Sequence, residues 1–106
     1  MDFILEKAFS ENDKPVMLLK IQEPSYEVNV WLFHPEIEML DKALSTRWKD
    51  GAIKAGKSAN SAVFWCSDSI EKTVSLMIGN DDETWDICID LSQDNFIKIL
   101  NELKKT

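Results

Sequence analysis

Hydrophobic and polar positions change period several times along the chain, and each change marks an element. Residues 16–21 form an apolar run broken only by Lys20, opened by Pro15 and closed at Pro24-Ser25, which predicts a strand. Residues 26–33 then alternate: Tyr26, Val28, Val30 and Leu32 on one face, Glu27, Asn29, Trp31 and Phe33 on the other. The Pro24-Ser25 break between the two runs predicts an antiparallel hairpin. At His34-Pro35 the period shifts from two to three and four. Pro35 followed by Glu36 and Glu38 suits the positive end of a helix, and Ile37, Leu40, Leu44 and Trp48 make its apolar stripe. That helix is expected over residues 35–49, ending at Asp50-Gly51. Residues 51–61 are small, polar and basic, and predict a mobile surface loop.

The second half reads as strands. Residues 62–66 are a short apolar strand, and in residues 73–78 Val74, Leu76 and Ile78 share a face. Gly79-Asn80-Asp81-Asp82 predicts a turn. Residues 85–91 alternate, with Trp85, Ile87, Ile89 and Leu91 opposite Asp86, Cys88 and Asp90. Ser92 suits an N-cap, and Phe96, Ile99, Leu100 and Leu103 predict a terminal helix over residues 93–105. Burying these faces together gives an α+β fold: an antiparallel sheet of about five strands with two main helices, 35–49 and 93–105, packed on it. The lack of regular βαβ alternation argues against a doubly wound sheet. With 106 residues and no repeat or linker, residues 1–106 are expected to form a single domain.

Charge sharpens this picture. Nineteen acids against twelve bases give −7, unevenly placed. Residues 1–41 carry nine acids and three bases, residues 42–57 five bases and one acid, and residues 68–94 eight acids and the single base Lys72. Such a surface repels phosphate backbones and attracts basic partners, so neither nucleic acid nor membrane is expected as a partner. No apolar run approaches the roughly 18 residues of a membrane span, and the first residues lack the pattern of a signal peptide, so a cytoplasmic location is expected. Cys66 and Cys88 are too few for a disulfide scaffold, and with His34 the sole histidine no metal is expected.

Motifs for catalysis are absent or fail on context. Gly51 to Ser58 satisfies G-x-x-x-x-G-K-[ST], but a predicted helix precedes it and a strand follows, the reverse of a phosphate-binding loop. His34 has no Ser or Cys nucleophile at a recognisable spacing and suits a helix start better than a general base. Asp86 and Asp90 share a strand face but stand about 13 Å apart, too far to share a proton. Asp81, Asp82, Glu83 and Asp86 lack the glycine and terminal glutamate of a calcium loop. Cys88, flanked by acids, is a poor nucleophile. No enzyme activity and no cofactor are expected.

Aromatic and acidic surface remains. Of four tryptophans, Trp48 and Trp85 fall on core stripes and Trp65 on a short strand. Trp31 lies beside Glu27 on the face opposite Val28 and Val30; it is either an exposed anchor for a partner or core beneath a helix. The partner-binding candidates are therefore Trp31, Glu27, Asp81, Asp82, Asp86 and Asp90.

In size, charge, α+β pattern and the closing run Trp85-Asp86-Ile87-Cys88-Ile89-Asp90-Leu91-Ser92 with Phe96-Ile97-Lys98-Ile99-Leu100, the chain resembles immunity proteins of bacterial contact-dependent growth inhibition and other polymorphic toxin systems. The resemblance implies a stoichiometric inhibitor that binds a cognate toxin domain, commonly a nuclease, and blocks its active site or substrate path. The partner is expected to be basic, to complement the acidic surface, and the chain to be a monomer rather than an oligomer. The alternative is a small cytosolic adaptor or secretion-chaperone-like module.

Overall fold

Seven strands and two helices make up the protein, in a computed structural model that describes all 106 residues. In chain order they are β1 (Asp2–Phe9), β2 (Pro15–Glu23), β3 (Tyr26–Leu32), α1 (His34–Met39), β4 (Ile53–Ser58), β5 (Ser61–Asp68), β6 (Thr73–Gly79), β7 (Trp85–Ser92) and α2 (Gln93–Lys104). Two 3-10 segments, Leu40–Ser45 and Trp48–Asp50, link α1 to β4. The strands form one antiparallel sheet in the order β1-β2-β3-β4-β5-β6-β7. Every sheet neighbour is thus also a sequence neighbour, joined by a short turn except at β3–β4, where the chain passes through α1. The α+β class and the α2 boundary agree with the sequence pattern; the sheet has seven strands rather than about five.

Strand parity assigns the two faces. Leu19, Ile21, Val30, Leu32, Val63, Trp65, Val74 and Leu76 point to the helix-bearing side and are fully or almost fully buried against Ile37, Leu40, Phe96, Ile99 and Leu103. Trp65 is the largest of these: its ring meets Phe96 at 5.7 Å between centroids, and its Nε1 donates to the Ala55 carbonyl at 2.8 Å. Burying an indole is favourable only when that N–H is satisfied, and here the backbone of β4 satisfies it. A smaller cluster, Phe64, Cys66 and Met77, sits on the opposite face. No helix is long and apolar enough to cross a membrane.

Three expectations are corrected. The helix expected over 35–49 is α-helical only to Met39, because its later residues take other partners. Thr46 Oγ1 donates to the Lys42 carbonyl at 2.6 Å, and the Thr46 carbonyl accepts from Ser67 N–H of β5 at 2.8 Å. Trp48 therefore leaves the apolar stripe and is 53% exposed, and Trp85, at the start of β7, is 40% exposed rather than core. The segment expected to be a mobile loop is largely β4. Its Ala55 is buried, its turn residues Ala59 and Asn60 take φ of 49° and 67°, and its Gly56 N–H donates to Glu36 Oε2 at 2.8 Å. Two consecutive left-handed residues make a tight hairpin turn, and Ala-Asn is an uncommon way to write one.

Candidate functional site

The hairpin that joins β6 to β7 concentrates the acidic side chains, and local chemistry explains its shape. Asp81 Oδ1 accepts from the N–H groups of Glu83 (2.8 Å) and Thr84 (2.7 Å), closing the turn on itself. These bonds favour the ionised form and hold the Asp81 carboxyl below the usual carboxylate range, the bond from Glu83 contributing most. Asp82 is tied across the fold instead: its carbonyl accepts from Trp48 Nε1 at 2.8 Å and its Oδ2 from Ala52 N–H at 3.1 Å. Ala52 packs against the Phe64, Cys66 and Met77 cluster, so the turn lies folded over that cluster.

On β7 the residues alternate as the sequence implies, with one irregularity. Gly79 pairs with Trp85 and Ile78 with Ile87, which leaves Asp86 as the extra residue of a β-bulge. The Asp86 side chain makes no hydrogen bond or ion pair within the protein. Asp90 accepts from Ser75 Oγ at 2.6 Å, and Glu27 of β3 accepts from Gln22 Nε2 at 2.9 Å. That bond is the main reason the Glu27 carboxyl lies below its ordinary value. Cys88 is exposed, yet desolvation and then the Asp90 charge push its thiol up. Cys66, buried beneath the turn, is pushed up by desolvation first, then by Cys88 and the surrounding aspartates. Neither thiol is activated for nucleophilic attack.

The molecule has three ion pairs: Lys20 with Glu6, Lys104 with Asp41, and Lys105 with Glu102. None of the eight acids of residues 68–94 is ion-paired, although Asp68, Asp81, Asp82 and Asp90 accept hydrogen bonds.

Six sequence-predicted residues are only partly brought together. Glu27 and Asp90 line one cleft of about 440 Å³ with Tyr26, Val28, Ile87, Cys88 and Ile89. Asp86 lies in the same strand as Asp90, and Asp81 and Asp82 lie in the adjoining turn. Trp31 is 41% exposed, on the face that carries no helix, which answers whether it is core. It does not sit among these carboxylates, however. Its cross-strand partner is Lys57, at the end of β3 away from the Tyr26–Val28 stretch that faces β7, and it does not line that cleft. The aromatic side chains beside the acids are Trp48, Trp85 and Tyr26. Sequence periodicity missed the first two because both fall on apolar stripes, and no other signal in the chain marks them as exposed.

No three His, Cys, Asp or Glu side chains converge to hold a metal ion. The Gly51–Ser58 segment runs into and along β4 with no helix after it, and its Gly56 amide is occupied by Glu36, so it cannot cradle a phosphate. A second cleft, of about 640 Å³, lies between β1 and α2, lined by Phe3, Leu5, Lys98, Asn101, Glu102 and Lys105. No protein-family model, no curated protein and no solved structure matches the chain.

Proposed function

We propose that this chain is an acidic protein-binding module whose β6–β7 hairpin and β7 form the contact surface for a basic partner. More specifically, we read it as an immunity protein that neutralises a cognate toxin domain, acting in the cytoplasm as a binder and not as an enzyme. The observation that carries this reading is the group of carboxylates on the β6–β7 turn and β7 (Asp81, Asp82, Glu83, Asp86 and Asp90), none of them in an ion pair, next to the exposed Trp48 and Trp85. Holding like charges together on one flank costs stability through self-repulsion, and a cationic partner reverses that cost. A nuclease must attract phosphate and so presents a basic cleft, to which this flank is complementary. Carboxylates would meet Lys and Arg in charge-assisted hydrogen bonds while an indole supplied buried area.

The test is co-expression with the product of the neighbouring gene. A stoichiometric complex that survives purification, with growth restored in cells making that product, is the expected result. A neighbouring product that neither binds nor harms cells would overturn the immunity reading.

A further inference from the structure

The cleft between β3 and β7 has an unusual wall. It is lined by Tyr26, Glu27 and Val28 in sequence, and by Ile87, Cys88, Ile89 and Asp90 in sequence. Successive strand residues point to opposite faces, so a cleft lined by both parities of both strands runs along their edges rather than over a face. Both edges are open. β4 pairs with β3 only at Trp31 and Lys57, which leaves the Tyr26–Asn29 half of β3 paired with β2 alone. β7 ends the sheet and is bonded only to β6.

An open edge presents N–H and C=O groups at alternate residues, and folded proteins usually blunt it with Lys, Pro or a very short strand. β7 has none of these over eight residues; its only such device is the bulge at Asp86, and Ile87 is 49% exposed on it. The opposite edge strand, β1, carries Asp2 and Glu6 as well as Lys7, and Lys20 pairs with its Glu6 at 3.3 Å. Lys98 and Lys105 of α2 lie beside it. β7 has carboxylates and no cation of its own, and neither Asp86 nor Asp90 is in an ion pair.

Building on the reading above, we propose that β7 takes an extended basic segment of the partner as an added strand, seated in the β3–β7 cleft. Main-chain hydrogen bonds would zip the segment to β7. Its lysines or arginines on one face would meet Asp86 and Asp90, and its apolar residues on the other would meet Ile87, Ile89 and Tyr26. A second copy of this chain fits poorly, because pairing β7 with β7 would set Asp86 and Asp90 against the same carboxylates.

The probe is a twelve-residue peptide alternating lysine with valine and threonine, compared with its glutamate counterpart and with a version N-methylated at alternate amides. The readouts are amide exchange across Trp85–Ser92 and the alkylation rate of Cys88, the exposed thiol of β7. The lysine peptide should slow both by about ten-fold or more at saturation. The glutamate and N-methylated peptides should do neither, and Asp86→Lys should raise the concentration needed by about ten-fold. Equal protection by the N-methylated peptide would reduce the contact to charge alone and overturn strand addition. So would protection confined to β1 or to the face of Trp31, or no binding at all. Protection that rises with protein concentration and no peptide would assign the edge to self-association, also against the proposal. A neighbouring toxin that binds without protecting β7 would leave the immunity reading standing and remove only this docking mode.

Discussion

Asp81, Glu27 and Gly56 show how single residues set the local terms. Asp81 has a lowered carboxyl pKa in the folded chain, caused first by the Glu83 amide. Because the folded value lies below the unfolded one, its contribution is complete above the ordinary carboxylate value of about 4 and is lost as pH falls through the lowered value. Asp81→Asn should therefore melt below the wild type near neutral pH, and the gap should close as pH is taken below about 4. A gap that persists at low pH would mean the turn does not depend on that charge. Gly56 makes a sharper test of packing. It has φ +87°, and an added Cβ would stand 2.7 Å from Val30 Cγ1 and 2.9 Å from Leu32 Cδ2. Gly56→Ala combines backbone strain with overpacking and should cost about 3 kcal/mol in urea unfolding. Gly51→Ala, at φ +90° with open space around it, meets strain alone and should cost about 1 kcal/mol.

Among the elements, α1 and β4 hold each other in place through one carboxylate. Glu36 Oε1 accepts from Phe33 N–H at 2.9 Å, the half of a capping box that the third helical residue supplies, while Oε2 accepts from Gly56 N–H at 2.8 Å. Glu36→Ala frees two amides and should cost about 2 kcal/mol, and Glu36→Gln about half as much, because one oxygen remains. A Glu36→Gln urea midpoint equal to the wild type would show that only one of these bonds matters, and equal losses for the two variants would show that neither works without the charge. This pairing also explains what could be read from the chain. β2, β3, β6, β7 and α2 announce themselves because their apolar residues alternate or recur at helical spacing on a buried face. β4 does not: Lys54 and Lys57 point outward, Gly56 is fitted to Val30 and Leu32, and its order comes from Glu36 and Trp65, which are distant in sequence. β1 is likewise weakly patterned, with Ile4 and Phe9 exposed and only Phe3 and Leu5 packed on the core. For the site, the acidic segment was legible from charge alone, whereas Trp48 was not. The Trp48 indole ties to the Asp82 carbonyl only because the chain leaves the helix at Thr46. Trp48→Phe should thus speed amide exchange in residues 80–84 and leave β5 and α2 unchanged.

At the scale of the whole molecule, the proposed binding would draw on the acidic flank before contact as well as within it. The field of residues 68–94 extends into solvent because no cation of the protein is paired with it. Raising ionic strength from about 0.01 M to about 0.15 M shortens the screening length from about 30 Å to about 8 Å. Association with a basic toxin domain should therefore slow by about ten-fold or more over that range, with a much smaller change in dissociation. The structure decides which substitutions test this cleanly. Asp81 and Asp82 hold the turn, so reversing them confounds folding with binding. The Asp86 side chain bonds to nothing within the chain, and Asp86→Lys should slow association without lowering Tm. Trp85→Ala should instead speed dissociation and cost about 2 kcal/mol or more if the indole is buried at the centre of the contact. Trp31→Ala, beside Lys57 and outside the β3–β7 cleft, should change binding little. Surface-plasmon kinetics at the two salt concentrations, with Tm measured for every variant, separates these effects. A salt-independent on-rate with Asp86→Lys silent would mean the acidic flank is solvated surface, and a large Trp31→Ala effect at unchanged Tm would move the contact out of the β3–β7 cleft.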